Sequence, residues 1–207
     1  MSVMMWRVVT GCELLSPGCA NCPSYWEYKD KGLDYHPVFQ SDNLGELDDL
    51  NWPGCDNIAI VAPGSDLLHE AIRAEQVLQV VDAMRRNTNI IYELATKRVE
   101  RLAALDISWP DNVRVCVAVE ESKYKWRVDM LRDDVRAKNK MVSFGPMTGR
   151  IGKVNLTGID VAGVIVETWG ANPRPVHPDW IEEVRVQCEE YGVQYSTDSW
   201  IYKEVQV

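Results

Sequence analysis

The sequence holds no apolar run approaching the ~20 residues that a membrane span needs, so no membrane partner is expected. Its opening residues, Met1-Ser2-Val3-Met4-Met5-Trp6-Arg7, carry no long apolar leader. A cytoplasmic protein is therefore expected rather than a secreted one. There is no internal repeat and no low-complexity segment, and a hydrophobic content of 46% excludes collagen-like and disordered classes. Positive charge is the minority: 22 Lys and Arg stand against 31 Asp and Glu, a net charge of −9. Non-specific nucleic-acid binding draws on a strong positive field, and this balance argues against it. No Gly-rich dinucleotide fingerprint follows any apolar run, which weakens a doubly wound nucleotide-binding reading.

What is present is a rhythm. The 207 residues suit one domain, 1–207, able to bury a full core. Trp6-Arg7-Val8-Val9-Thr10 reads as a short strand ending at Gly11, and residues 24–31 as a helix stopped by Gly32. Residues 33–56, with Pro37, Gly45, Pro53 and Gly54, read as an irregular excursion. Beyond it, apolar runs alternate with helical patterns. Ile58 to Ala62, Asn89 to Ala95, Val113 to Val119, Met141 to Phe144, Gly163 to Val166 and Val193 to Ser196 read as strands. Residues 74–86, 98–105, 123–133 and 178–191 read as helices. In the first, Val77, Val80, Val81 and Met84 hold the i, i+3, i+4, i+7 spacing. In the last, Pro178 suits the first turn and Gly192 the C-terminal stop. Short apolar strands alternating with helices predict an α/β fold with parallel strands covered on both faces. A full eight-fold barrel needs about 250 residues, so a trimmed TIM-like (β/α) barrel of six or seven strands is expected. The alternative is an open doubly wound sheet.

The six cysteines are Cys12, Cys19, Cys22, Cys55, Cys116 and Cys188. In a reducing compartment disulfides are rare. Three cysteines within eleven residues then point to metal or redox chemistry. Cys12 and Cys19 are six residues apart, Cys19 and Cys22 two apart, and Ser16-Pro17-Gly18 is a turn that can bring their thiolates together. This loop, residues 11–23, follows the first strand, and the C-terminal ends of parallel strands carry chemistry. Soft sulfur ligands favour zinc or iron–sulfur clusters. Structural zinc normally takes four protein ligands, and clusters usually take four cysteines. Three cysteines therefore suggest an open coordination position, although Cys55 or His36 would close a zinc site. Cys55, Cys116 and Cys188 read as core thiols, Cys116 alternating with apolar residues and Cys188 near Val184 on a helix.

The chain resembles the radical S-adenosylmethionine superfamily. The likeness begins at Thr10-Gly11-Cys12 through Ser16-Pro17-Gly18-Cys19-Ala20-Asn21-Cys22. It extends to Ser65-Asp66-Leu67-Leu68-His69-Glu70, Thr96-Lys97-Arg98-Val99-Glu100-Arg101-Leu102, Asn112-Val113 to Val119-Glu120, and Arg174-Pro175-Val176-His177-Pro178-Asp179-Trp180. Through these stretches it is similar to a radical-SAM-like family common on bacteriophage genomes and mostly without assigned function. The resemblance implies a 4Fe–4S cluster on Cys12, Cys19 and Cys22 that chelates S-adenosylmethionine through its fourth iron. It also implies a 5′-deoxyadenosyl radical that abstracts a substrate hydrogen. An external electron donor of flavodoxin or ferredoxin type is implied as partner, and the host cytoplasm as location. The sequence departs from the superfamily at three points. The first cysteine spacing is longer than usual, Asn21 replaces the usual aromatic residue, and Pro63-Gly64-Ser65-Asp66 stands where Gly-Gly-Glu is usual.

Polar residues follow the other strands. Gly64, Ser65, Asp66, Lys97, Arg98 and Glu120 are candidates for cofactor binding. Lys97 or Arg98 is placed on the methionyl carboxylate, where arginine makes two parallel bonds. Asp66 or Glu120 is placed on the amine or ribose hydroxyls. Glu167, Asp198, Arg150 and Lys153 are candidates for catalysis or substrate binding. Arg136, Lys138, Lys140, Arg150 and Lys153 form a stretch without a carboxylate between 136 and 153. Its bland reading is a solvated surface; its functional reading is a phosphate-facing patch. His69 and His177 read as structural, His177 at a helix entry. The expected activity is radical isomerisation or modification of a nucleobase or nucleotide group, as in phage DNA modification. The rival is a non-catalytic, zinc-stabilised or cluster-bearing binding module.

Overall fold

A computed structural model describes residues 2–48, 57–169 and 172–196. Nine strands and five α-helices are found among them. The strands are β1 Ser2–Trp6, β2 Val9–Thr10, β3 Val38–Phe39, β4 Asn57–Val61, β5 Ile90–Thr96, β6 Val113–Ala118, β7 Asn139–Phe144, β8 Val161–Val164 and β9 Gln194–Ser196. The helices are α1 Pro23–Asp30, α2 Ala74–Arg86, α3 Val99–Ala104, α4 Trp126–Asp134 and α5 Pro178–Tyr191.

Seven strands form one sheet in the order β1-β4-β5-β6-β7-β8-β9. Every pairing in it is parallel. The order follows the chain without reversal. A doubly wound sheet requires a reversal at its switch point, so that alternative is set aside. Parallel crossovers are right-handed, and an unreversed run of them lays the helices along one face. The expected first strand divides in two: β1 enters the main sheet, and β2 pairs antiparallel with β3 instead. The expected irregular excursion therefore contains a strand, Val38–Phe39.

The two faces of the sheet differ. On one, Val61, Leu94 and Val115 lie in register, as do Thr96, Val117 and Val142. The apolar members of these rows pack with Val77, Val80, Val81 and Met84 of α2, Val99 and Leu102 of α3, Val128 and Leu131 of α4, and Val184 and Cys188 of α5. Each such buried side chain contributes about 1.5–3 kcal/mol. The exposed Arg85–Asp82 pair on α2 contributes well under 1 kcal/mol. The apolar stripe, not surface charge, fixes that helix in place. On the other face, Ala95 pairs with Cys116 and Ala118 with Ser143. Small side chains here leave room above the sheet.

The terminal helix follows the sequence expectation closely. His177 Nδ1 accepts from the Asp179 amide at 3.2 Å, capping α5, with Pro178 in its first turn. Gly192 ends it in the left-handed conformation at φ +66°. No helix among the described residues is long and apolar enough to cross a membrane.

Candidate functional site

The cysteine loop is placed by backbone contacts with the excursion. The Cys12 amide donates to Tyr35 O at 2.9 Å. Gly11 lies at φ +73°, and a Cβ there would sit 2.0 Å from His36 O. Only glycine permits that approach. Pro17–Cys19 forms one 3-10 turn, and Cys22 stands at the N-cap of α1. The three thiols are free, and all three line one cavity at the C-terminal ends of the strands. Gly64, Ser65, Asp66, Lys97 and Arg98 line the same cavity.

Charged groups from four strand ends tie the loop down. Glu120, fully buried, accepts from Lys97 Nζ at 2.6 Å and Arg127 Nη1 at 2.8 Å, and from the Ser16 hydroxyl. Lys97 Nζ also donates to Ser16 Oγ at 3.2 Å and lies 3.4 Å from Cys19 Sγ. Arg98 donates to Asp66 Oδ2 and Glu70 Oε2, both at 2.9 Å, and its Nη1 lies 4.0 Å from Cys12 Sγ. Thr96 Oγ1 and the Leu68 amide complete the shell of Asp66. Cys22 Sγ lies 3.8 Å from Tyr35 Oη, which donates to Gly64 O at 2.5 Å. The Ser65 hydroxyl donates to Gly11 O. Glu167 holds the far side of the loop. It accepts from Asn21 Nδ2 at 2.9 Å and from the Arg174 guanidinium, and Arg174 Nη1 reaches Pro17 O at 2.7 Å.

These neighbours treat the thiols unequally. Burial, seconded by Asp66, pushes the Cys12 thiol up to about 12. Burial acts the same way on Cys19, but the Lys97 ammonium and the Ser16 hydroxyl outweigh it and bring that thiol below its ordinary value. Among the described residues, no three His, Cys, Asp or Glu side chains stand together closely enough to hold a metal ion as they are. The donor set nevertheless fits a soft, negatively charged ligand sphere. Three thiols open on one cavity, and Lys97 and Arg98 lie against Cys19 and Cys12 to offset thiolate charge.

The site residues expected from sequence fall into three groups. Cys12, Cys19, Cys22, Gly64, Ser65, Asp66, Lys97 and Arg98 meet at the cavity. Glu120 and Glu167 stand behind the loop, each buried and saturated by partners within the chain. Lys97, Arg98, Asp66 and Glu120 are therefore not free charges waiting for a cofactor. Buried charges are costly alone, and these four neutralise one another. The remaining candidates lie elsewhere. Arg150 is held by both oxygens of Glu183 on α5, at 2.9 and 3.0 Å. Lys153 lies along a groove with Glu182, Glu183 and Glu190. Arg136 and Lys138 pair with Asp106 and Asp111 ahead of β7, at the opposite end of the strands from the cavity. The basic stretch is thus dispersed, because Arg136, Lys138 and Arg150 each have a carboxylate from another segment beside them. Asp198 and Cys55 lie outside the described residues. Cys116 and Cys188 are buried core thiols, as their apolar neighbours in sequence implied.

The pairing of several contributors carries no signal in the sequence. Tyr35 lies in a polar excursion, and Arg127 and Arg174 look like surface residues. Arg127 is only 2% exposed, because Glu120 draws it inward. The Ser16-Pro17-Gly18 turn was legible, but not that a Cβ on Gly18 would lie 2.5 Å from Glu120 Cγ. That contact explains the glycine.

No curated protein and no solved structure matches the chain. A family model matches residues 2–206, and the chain therefore belongs to the family described as "Protein of unknown function (DUF5131)".

Proposed function

We propose that this protein is a radical S-adenosylmethionine enzyme built on a trimmed barrel, with a 4Fe–4S cluster held by Cys12, Cys19 and Cys22. The observation that carries the reading is the convergence of those three thiols, and among the described residues no fourth cysteine, on one cavity at the strand ends. The unreversed strand order supports the barrel, since winding in one direction curls a sheet towards closure. When bound, the cluster supplies the electron that cleaves S-adenosylmethionine to methionine and a 5′-deoxyadenosyl radical.

The chain's own residues have definable tasks in this reading. Lys97 and Arg98 place positive charge beside Cys19 and Cys12, which offsets the negative charge of a thiolate-ligated group. Glu120 and Arg127 hold Lys97 in that position, and Glu167 with Arg174 fixes Asn21 between Cys19 and Cys22. Pro63-Gly64-Ser65-Asp66 supplies the wall facing α1. Gly64 is needed there, since a Cβ at φ +66° would meet Ser24 Oγ at 1.9 Å. The substrate in this reading carries a nucleobase or nucleotide group and is isomerised or otherwise modified. A small electron-carrier protein of flavodoxin or ferredoxin type serves as reductant, and the cytoplasm is the compartment in which the thiols stay reduced.

Protein loaded with iron and sulfide under anaerobic conditions, then reduced, is expected to form 5′-deoxyadenosine from S-adenosylmethionine. Product is read by chromatography. A loaded, reducible protein that leaves the cofactor intact and shows no spectral change on its addition contradicts the reading.

A further inference from the structure

The outer side of the cysteine loop carries a surface that the reading above does not use. A surface helix normally turns an apolar stripe to the core. α1 buries none of its eight residues, although they include Tyr25, Trp26 and Tyr28. Leu14, Trp26 and Leu33 are 47%, 40% and 56% exposed. Half of the large apolar side chains exposed among the described residues fall between Leu14 and Val38, so the exposure is concentrated on this segment. Leu14, Tyr25, Leu33 and Tyr35 line one groove there. The Tyr25 ring meets Trp26 edge-on at 5.5 Å and Tyr35 at 5.7 Å, which joins the helix to the groove. A contiguous exposed apolar patch marks an interaction site.

Charge selects what covers it. Glu13, Lys29 and Asp34 share the groove with the apolar side chains. The neighbouring Lys31 is already paired with Glu27 at 2.6 Å. Lys29 has rings beside it, Trp26 at 4.4 Å and Tyr25 at 6.0 Å, and no carboxylate partner among the described residues. Asp34 has no cationic partner among them. A nucleic-acid strand would set its phosphates against Glu13 and Asp34. Any partner of one sign leaves like charges opposed. A second copy of the chain does not. Across a two-fold axis residue i meets j and j meets i, so the Lys29 of each copy can meet the Asp34 of the other around an apolar centre.

We propose that this face is the contact between two copies of this chain, with Leu14, Trp26 and Leu33 at its centre and Lys29 paired with Asp34 across the axis. Cys12 lines the same groove, so the second copy covers the outer side of the cysteine loop. The inference does not rest on the proposed function, because the contact needs no iron, cofactor or substrate.

Analytical ultracentrifugation of the full chain tests it, under reducing conditions that remove disulfide-linked dimers. A particle of twice the chain mass is expected. Leu33→Asp is expected to weaken association by at least about tenfold. The same variant is expected to melt with the parent, since Leu33 is exposed within the chain. Lys29→Glu and Asp34→Lys are each expected to weaken association by about tenfold, because the axis repeats the lost pair. The two changes together are expected to restore it, since the pair is then reversed but whole. The proposal is overturned if the chain is monomeric at every concentration, if Leu33→Asp associates like the parent, or if the double reversal associates no better than the single ones. It also falls if Leu33→Asp melts lower or fails to fold, because that side chain is then structural. A monomer that sediments with phosphatidylcholine vesicles or with oligothymidine gives the face to a lipid surface or a single strand, and overturns it too. Failure of cofactor cleavage leaves the contact standing, and a monomer leaves the cluster reading standing.

Discussion

If the loop holds a cluster, Cys12→Ala, Cys19→Ala and Cys22→Ala are each expected to lose its iron after anaerobic reconstitution, whereas Cys116→Ala and Cys188→Ala are expected to retain it. The first three thiols open on one cavity with cationic or phenolic groups beside them. The other two are buried, Cys116 in β6 and Cys188 in α5, and burial pushes their thiols up to about 12 and about 11. Neither lines the cavity on which the loop thiols open, so neither can reach a group held there. Loss of a whole ligand leaves an iron exposed to exchange, so iron content should fall to near background in each loop variant, not by a fraction. Colorimetric iron and sulfide assays on the five variants check this. Full iron in Cys12→Ala would remove Cys12 from the ligand set.

The second large effect lies at Glu120. It is fully buried and accepts from Ser16, Lys97 and Arg127. Glu120→Gln keeps the shape and removes the charge. Two cations then face each other without a carboxylate, and breaking a buried pair in this way costs about 3–5 kcal/mol. The exposed Arg185–Glu182 pair offers the control, since a solvent-screened surface pair contributes little to stability. Urea unfolding of Glu120→Gln and Glu182→Gln checks the contrast. Comparable midpoints in the two variants would show that the Glu120 network does not hold the loop. The pH dependence has a definite sign. Burial acts to raise the Glu120 carboxyl, but Lys97, Ser16 and Arg127 outweigh it and hold the pKa below the usual carboxylate range. Its stabilisation is therefore present at neutral pH and is lost as pH falls through the folded pKa. Glu167, with its carboxyl likewise lowered by Arg174 and Asn21 against burial, weakens in the same direction.

Much of the scaffold is legible in the sequence because periodicity and punctuation agree. Val77, Val80, Val81 and Met84 mark α2, and Pro178 and Gly192 bound α5. The apolar strand runs mark all of the later sheet strands to within two residues. The division of the first strand was not legible. Val8 and Val9 continue the apolar run of β1, and only the pairing of Val9 and Thr10 with Phe39 and Val38 separates them. In the site, the cysteines and the polar strand ends show themselves by type and position. Their mutual pairing does not. Lys97 and Glu120 are twenty-three residues apart, and nothing local says that each is the other's counterion. Periodicity cannot mark Arg127 or Arg174 either, because their burial depends on carboxylates from distant strands. The basic stretch shows the converse error: a segment without acids looks like a patch until acids from other segments fold against it.

What Cys12, Cys19 and Cys22 bind separates a cluster enzyme from a zinc-stabilised module. Anaerobic purification followed by metal and sulfide analysis measures it directly. About four iron and four sulfide per chain, in a brown protein, is the expected result for a 4Fe–4S cluster. A colourless protein carrying one zinc and no sulfide would contradict it and leave a zinc-stabilised binding module.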